Sequence, residues 1–83
     1  MDLMQFGDVI NERMEQAYPH TNLRERRVTC GFSQSELSKE SGVPIRQIQL
    51  FEQRERDINK TSAITLYKLS KALHCSMEAL LEK

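Results

Sequence analysis

Two short segments joined by a tight turn constrain the fold of this chain more than any other feature of its sequence. The first segment opens with Ser33 and Glu36 in the spacing S-x-x-E, in which a serine hydroxyl and a glutamate carboxylate satisfy free N–H groups at a helix start. Gly42 ends this segment, because glycine readily adopts the left-handed backbone that closes a helix. Pro44 suits the first turn of a following helix, where its missing N–H is not needed. The sequence therefore predicts two short helices separated by a tight turn, the second over residues 45–54.

The remainder of the chain carries the signals of further helices and none of strands. Only 3 Gly and 2 Pro occur among 83 residues, and no stretch alternates apolar with polar residues. Further helices are predicted at about 2–18, 22–30, 60–73 and 76–81, capped in the last three cases by Asn22, by Asn59 or Thr61, and by Ser76. The predicted fold class is therefore all-α. Its core is expected to include four apolar residues of the two central helices and their turn: Leu37, Val43, Ile48 and Phe51.

The formal net charge of zero is an average over two unlike parts of the chain. Residues 1–20 carry four acidic side chains and one basic one, whereas residues 21–83 carry eleven basic and eight acidic side chains. The acidic part also has an apolar stripe at helical spacing, formed by Leu3, Phe6, Val9, Ile10 and Met14. The sequence therefore predicts an amphipathic helical arm over 1–20 and a separate, mildly basic domain over 21–83.

Enzyme chemistry finds little support in the residue types and their spacing. The two cysteines lie 45 positions apart, the two histidines are isolated, and no Ser/His/Asp set or phosphate-binding loop is present. We therefore predict no catalytic residue, no metal site and no cofactor, with Cys30 and Cys75 as buried or half-buried free thiols. No run approaches the roughly 18 apolar residues of a membrane span, and no basic leader is visible, so we expect a cytoplasmic protein with no membrane partner.

Residues 23–81 resemble the Cro/lambda-repressor-type helix-turn-helix family, also called xenobiotic-response-element-type regulators. The resemblance rests on linked motifs in a fixed order: Arg27 before Gly31, Phe32-Ser33-Gln34, Glu36-Leu37-Ser38, Gly42-Val43, Ile48, Glu52, Leu69-Ser70-Lys71-Ala72-Leu73 and Met77-Glu78-Ala79-Leu80-Leu81. It implies a five-helix lambda-repressor-like DNA-binding domain, preceded here by the N-terminal helical arm. The helix at 45–54 then corresponds to the family's recognition helix.

A recognition helix reads base edges in the major groove of DNA with the side chains of its outward face. With Ile48 and Phe51 facing the core, the candidates for base reading are Ile45, Arg46, Gln47, Gln49 and Leu50. Arginine suits guanine and glutamine suits adenine, whereas the two apolar residues suit either thymine methyl groups or a protein partner. Outside such a motif, the same polar face would be read as merely solvated.

Other residues are candidates for contacts with the DNA backbone. Gln34 matches the family's phosphate-contacting position, and Ser33 beside it adds a hydroxyl at the same helix start. Around the end of the recognition helix the candidates are Gln53, Arg54, Arg56 and Lys60, although the basic ones also fit a solvated loop. Arg27 and Glu52 resemble the family's paired charges, which we interpret as a structural ion pair and not as a DNA contact.

The chain departs from the family pattern at both ends of its predicted recognition helix. Pro44 stands where serine or threonine usually caps that helix, so one capping bond worth about 1 kcal/mol is missing. Gln53 and Arg54 replace the glycine that frequently follows it. These departures concern the base contacts more than the fold.

The resemblance implies a sequence-specific DNA-binding transcriptional regulator that binds double-stranded DNA, as a homodimer in most members of this class. The alternative is an antitoxin-type or protein-interaction helical module with weak or lost DNA binding, which the apolar Ile45 and Leu50 favour. The arm over 1–20 has three open interpretations. It folds back on its own domain, it forms a dimer interface, or it binds another protein such as a toxin.

Overall fold

A computed structural model describes residues 20–83, which form an all-α domain. Its four α-helices are α1 (Asn22–Thr29), α2 (Gln34–Ser41), α3 (Ile45–Glu52) and α4 (Ala63–Ala72), with two short 3-10 helices at Ile58–Lys60 and Glu78–Leu80. The predicted all-α class is confirmed, but the count of five α-helices for this domain is slightly wrong. The predicted helix over 2–18 and its apolar stripe lie outside the described residues.

A single apolar core joins all of these elements. It contains Leu37, Val43, Ile48 and Phe51, as expected, together with Leu23, Ile58, Leu66, Leu69, Leu73 and Leu80. Full burial of one such side chain is worth about 1.5–3 kcal/mol, so the core is the main source of stability. The core fixes α2 and α3 against each other and leaves the outward faces of both helices for other contacts.

The helix starts confirm one predicted cap and correct two others. Ser33 and Glu36 form the complete capping box of α2. However, α1 is capped by Thr21, whose hydroxyl accepts a hydrogen bond from the backbone N–H of Arg24, and α4 is capped by Ser62. The reason is that the side chains of Asn22 and Asn59, the predicted caps, are hydrogen bonded to the C-terminal residues instead. Thr61, the other candidate for α4, lies one residue before the cap.

Three of the helices end with the same pair of backbone hydrogen bonds around a residue in the left-handed conformation. The residue is Gly31 after α1, Arg54 after α3 and His74 after α4, with φ of 80°, 60° and 53°. After α3, for example, Glu55 N–H bonds the carbonyl of Leu50. The recognition helix predicted over 45–54 is therefore two residues shorter, because Arg54 has left the helical conformation.

We expect His74→Gly to stabilise the protein by about 1 kcal/mol, because glycine adopts the left-handed conformation without the steric cost of a Cβ atom. The His74 side chain is exposed and makes no hydrogen bond or ion pair within residues 20–83, so its loss removes no such interaction there. The midpoint of urea unfolding measures the effect. His74→Ala is the matched control, since alanine keeps the Cβ atom; equal midpoints for the two variants would contradict the interpretation.

The C-terminal residues close the domain through polar contacts around Glu82. Its carboxylate accepts a hydrogen bond from the backbone N–H of Asn22 at 2.7 Å and pairs with the Arg54 guanidinium at 3.2 Å. Its backbone exchanges two hydrogen bonds with the side chain of Asn59. The predicted last helix over 76–81 is only the 3-10 helix, because Leu81 turns into the extended conformation that brings Glu82 to these partners.

Both cysteines are free, as predicted, but they differ in burial. Cys75 is half-buried against the core, whereas Cys30 is exposed, which corrects the expectation that it would be buried or half-buried. The Cys30 thiol donates a weak hydrogen bond to the carbonyl oxygen of Leu73 at 3.5 Å.

Candidate nucleic-acid interface

The accessible surface of α3 carries the five residues that the sequence singled out for base reading. Arg46, Gln49 and Leu50 lie opposite the buried Ile48 and Phe51, whereas Ile45 and Gln47 lie at the edges of this surface, one turn before the two buried residues. Ile45 and Arg46 are exposed, whereas Gln47, Gln49 and Leu50 are half-buried. One arginine and two glutamines therefore lie together with two apolar side chains on the accessible part of a single two-turn helix.

The start of α3 differs from that of every other α-helix in the described part of the chain. Pro44 occupies the capping position and provides no side-chain hydrogen bond, as its missing polar group requires. The turn is held from the other side, where the Ser38 hydroxyl donates to the carbonyl oxygen of Val43 at 2.6 Å. Gly42 takes the left-handed conformation with φ of 76°. The Ser38 side chain and the left-handed Gly42 thus hold the turn between α2 and α3 without a cap on α3.

Arg27 and Glu52 form a two-pronged ion pair beneath the candidate interface. Arg27 Nε and Nη2 donate to the two carboxylate oxygens of Glu52 at 2.7 and 2.9 Å, and Nη1 donates to the carbonyl oxygen of Phe32 at 2.9 Å. Only 12% of the Arg27 side chain and 5% of the Glu52 side chain are exposed. Both charges are therefore used to join α1 to the end of α3.

Gln34 belongs to the same network, which limits what it can offer to DNA. Its side-chain Nε2 donates to Glu52 Oε1 at 3.2 Å, and the side chain is half-buried. Its carbonyl oxygen would repel a phosphate, so a phosphate contact by this residue needs the second amide hydrogen or the backbone N–H. The network holds this side chain in one orientation at the start of α2.

The start of α2 already holds a negative charge of its own. The Glu36 carboxylate accepts a hydrogen bond from the backbone N–H of Ser33 at 2.9 Å, and the Ser33 hydroxyl accepts one from Glu36 N–H at 3.0 Å. The hydrogen bonds from Ser33 lower the pKa of the Glu36 carboxyl below its ordinary value of 4.5. The Ser33 hydroxyl is therefore already engaged with Glu36, so a phosphate contact by Ser33 has to replace part of the capping box.

The capping box makes part of the stability depend on pH. Because the pKa of Glu36 is lowered in the folded state, its contribution is complete above pH 4.5 and is lost as the pH falls through the folded-state value. We expect the difference in unfolding midpoint between the native chain and Glu36→Gln to shrink between pH 7 and pH 3 in urea titrations. Glu40→Gln, which removes another exposed carboxylate of α2, is the control; an equal pH trend in both variants would contradict the assignment.

The segment after α3 presents basic and acidic side chains in alternation. Four candidate phosphate contacts are exposed there: Gln53, Arg54, Arg56 and Lys60. Arg54 is paired with Glu82, whereas Arg56 and Lys60 take part in no ion pair within residues 20–83. Glu55 and Asp57 alternate with the basic residues and reduce the positive charge of the segment.

Sequence reasoning missed the three residues that hold this segment in place. Asn22, Asn59 and Glu82 lie far apart in the sequence and meet at the point where α1 begins. The two asparagines looked like helix caps, and the glutamate lay beyond the last recognised motif. No local pattern marks contacts between residues 23 and 60 positions apart.

The surface of the described residues carries open depressions but no cluster of metal ligands. The cavities among them are surface depressions of about 210–440 Å³, and no group of three His, Cys, Asp or Glu side chains is placed to hold a metal. Burial raises the pKa of the Cys75 thiol, so the nucleophilic thiolate is disfavoured near neutral pH. No helix in this part of the chain has the length and apolar character needed to cross a membrane.

A comparison of the sequence with models of known protein families agrees with the helix-turn-helix arrangement of the structure. A helix-turn-helix family model, of a family of DNA-binding domains, aligns with residues 23–80, which is well over half of the chain. The match begins in α1, includes both helices of the central motif and ends in the last 3-10 helix. No curated protein and no solved structure gave a significant match.

Proposed function

The chain belongs to this helix-turn-helix family, and on that premise we propose that it is a sequence-specific transcriptional regulator that reads the major groove of double-stranded DNA with α3. The observation that carries the proposal is the accessible surface of α3, with Arg46 and Leu50 opposite the buried Ile48 and Phe51. Arg46 on that surface can donate two hydrogen bonds to guanine O6 and N7. Gln47 and Gln49 have the paired donor and acceptor that adenine N6 and N7 require.

Two apolar residues of the accessible surface of α3, Ile45 and Leu50, complete the proposed base contacts. Ile45 is 39% exposed at the leading end of α3, and Leu50 is half-buried one turn later. We assign them to thymine methyl groups, which are the apolar feature of the major groove. The proposed base-reading set is therefore the one expected from the sequence, with Arg46 as its charged anchor.

We assign the backbone contacts to both sides of α3. Lys60 and Arg56 are the strongest candidates, because both are exposed and unpaired within the described residues. Arg54 is paired with Glu82, so its guanidinium has to leave this ion pair to contact a phosphate. Gln53 is exposed at the end of α3 and is a further candidate for a phosphate contact. Ser33 and Gln34 are the candidates at the start of α2.

We further propose that the protein acts as a homodimer in the cytoplasm, without catalytic activity. One domain of this size reaches few base pairs, and two copies related by a two-fold axis read half-sites about 34–36 Å apart. In this proposal the acidic residues 1–20 are an N-terminal arm outside the DNA-binding domain. The DNA-binding domain spans 21–83, and its formal charge is mildly positive.

The affinity for random duplex DNA across salt concentrations tests the proposal that the protein binds DNA. The logarithm of the binding constant should fall linearly with the logarithm of the salt concentration, by about 0.9 for each phosphate neutralised. Lys60→Ala should weaken binding to all sequences alike and reduce the slope by about 1. Binding that is independent of salt, or absent, would contradict the proposal.

A protein-interaction module of the antitoxin type is the second candidate function. It is favoured by the exposure of several large apolar side chains, Val28, Ile45, Ile64 and Tyr67. Such a module would show neither a salt slope nor a preference among duplexes. The salt titration of random duplex DNA therefore distinguishes the two candidates by its slope, and selection from a random DNA pool distinguishes them by sequence preference.

A further inference from the structure

The outward face of α4 is apolar and uncovered in the described domain. Ile64 is 64% exposed and Tyr67 is 51% exposed, and residues three positions apart lie on the same side of a helix. Leu66 and Leu69 occupy the opposite side and are buried in the core. The exposed pair thus forms one continuous apolar surface at the N-terminal half of α4.

Two lysines border this apolar surface. Lys68 lies one turn after Ile64, and Lys71 lies one turn after Tyr67, with Lys71 Nζ 5.4 Å from the centre of the Tyr67 ring. No acidic residue occurs anywhere in α4. We call Ile64, Tyr67, Lys68 and Lys71 the α4 face; its chemistry fits an apolar partner with a negative charge.

We propose that the acidic segment 1–19 of the same chain binds the α4 face. The segment carries Asp2, Asp8, Glu12 and Glu15 against a single Arg13, which complements the two lysines. Its apolar residues at helical spacing supply side chains to cover Ile64 and Tyr67. This inference goes beyond the proposed function and does not depend on DNA binding.

The place where the segment joins the domain supports binding within one chain. Asn22 at the start of α1 is bonded to Glu82, and the backbone of Glu82 is bonded to the side chain of Asn59. Asn59 precedes Ile64 by five residues, which span at most about 18 Å. Even as a helix, a 19-residue segment would be about 28 Å long, which exceeds this separation. Because the segment is attached close to the α4 face, its effective concentration there is high. This favours binding to the α4 face of the same chain over binding to that of a second copy.

The other strongly exposed aliphatic side chain of a helix offers no comparable surface. Val28 on α1 is 57% exposed, but the depression beside it is lined by His20, Arg24, Glu25 and Thr29, with no second large apolar residue. Its surroundings also mix both signs of charge. Val28 therefore serves as a matched control for Ile64.

Zero-length carbodiimide cross-linking of the full-length protein tests the proposal, with mass spectrometry of an equimolar mixture of unlabelled and ¹⁵N-labelled chains. We expect amide links from the acidic residues of 1–19 to Lys68 and Lys71. In each cross-linked pair both peptides should be unlabelled or both should be labelled, because the link forms within one chain. Pairs of mixed composition would show that a second copy occupies the face and would overturn the proposal. Links to Lys39 or Lys83 instead, or no links from this segment, would overturn it as well.

A pair of variants of the full chain tests the apolar part of the contact. Ile64→Asp should lower the yield of these links about tenfold, since burial of an isoleucine contributes about that factor to binding. Val28→Asp introduces the same charge at a similarly exposed position and should leave the yield unchanged. Circular dichroism confirms that both variants remain folded. Equal yields in the two variants would contradict the assignment of the α4 face.

Discussion

Replacement of Glu52 by alanine is expected to lower the free energy of unfolding by about 3 kcal/mol, because it leaves the Arg27 guanidinium buried without its partner. The substitution also removes the acceptor of the Gln34 side chain. Domains of this size have total stabilities of only about 5–15 kcal/mol, so the loss is a large fraction of the whole. The melting temperature should fall by roughly 12–24 °C.

Thermal and urea unfolding, each followed by circular dichroism, measure this effect. Arg27→Met combined with Glu52→Leu is the matched control, since replacing both charges by apolar groups leaves no buried charge unpaired and should restore most of the stability. The DNA affinity of Glu52→Ala, measured at a temperature where the variant is folded, should change little. A variant with unaltered stability but lost DNA affinity would show that Glu52 acts at the interface and not in the fold.

Arg46→Ala is expected to weaken binding to the preferred DNA sequence by about 1–3 kcal/mol, which corresponds to roughly 5- to 150-fold. The reason is that an exposed arginine near the start of α3 can donate two hydrogen bonds to one guanine, which alanine cannot replace. Discrimination between bases should relax at one position of each half-site. The unfolding midpoint should stay the same, because the side chain is exposed and takes part in no ion pair within the described domain.

Titrations of the preferred duplex and of duplexes with single base changes measure this prediction. Arg24→Ala is the control, since it removes an exposed arginine of α1 and the same charge. It should change affinity only slightly and equally for all duplexes. If Arg46→Ala weakened every duplex by the same factor, Arg46 would be a phosphate contact and not a base-reading residue.

The sequence predicted those parts of the fold that depend on neighbouring residues. The capping box at Ser33 and Glu36 needs only a four-residue spacing and local hydrogen bonds, and the structure contains it. Burial of Ile48 and Phe51 follows from a three-residue spacing on one helix. Patterns of this kind carry their information within one or two helical turns.

Contacts between distant residues account for most of the errors. Asn22 and Asn59 are good caps by local rules, but both are recruited by Leu81 and Glu82 at the other end of the chain. Arg54 was expected within a helix, yet it occupies the left-handed position that favours glycine, and its guanidinium is bonded to Glu82. Tertiary hydrogen bonds thus override local preference at both ends of the domain.

The sequence predicts which side chains of the candidate site point away from the core, but not which of them are free to contact DNA. The spacing of α3 predicts which side chains face outwards, whereas the half-burial of Gln47, Gln49 and Leu50 depends on neighbouring elements. The engagement of Gln34 with Glu52 and of Arg54 with Glu82 likewise depends on tertiary structure. Arg46 remains the candidate for which sequence pattern and exposure agree most closely.

Selection of bound duplexes from a random DNA pool by the full-length protein is the decisive experiment on whether α3 reads the DNA sequence. We expect an enriched motif with two inverted half-sites whose centres lie about 10–10.5 base pairs apart. Selection with Arg46→Ala should yield a motif that has lost its preference at one position of each half-site. A pool in which no sequence is enriched, with the native protein folded and present in excess, would contradict the claim.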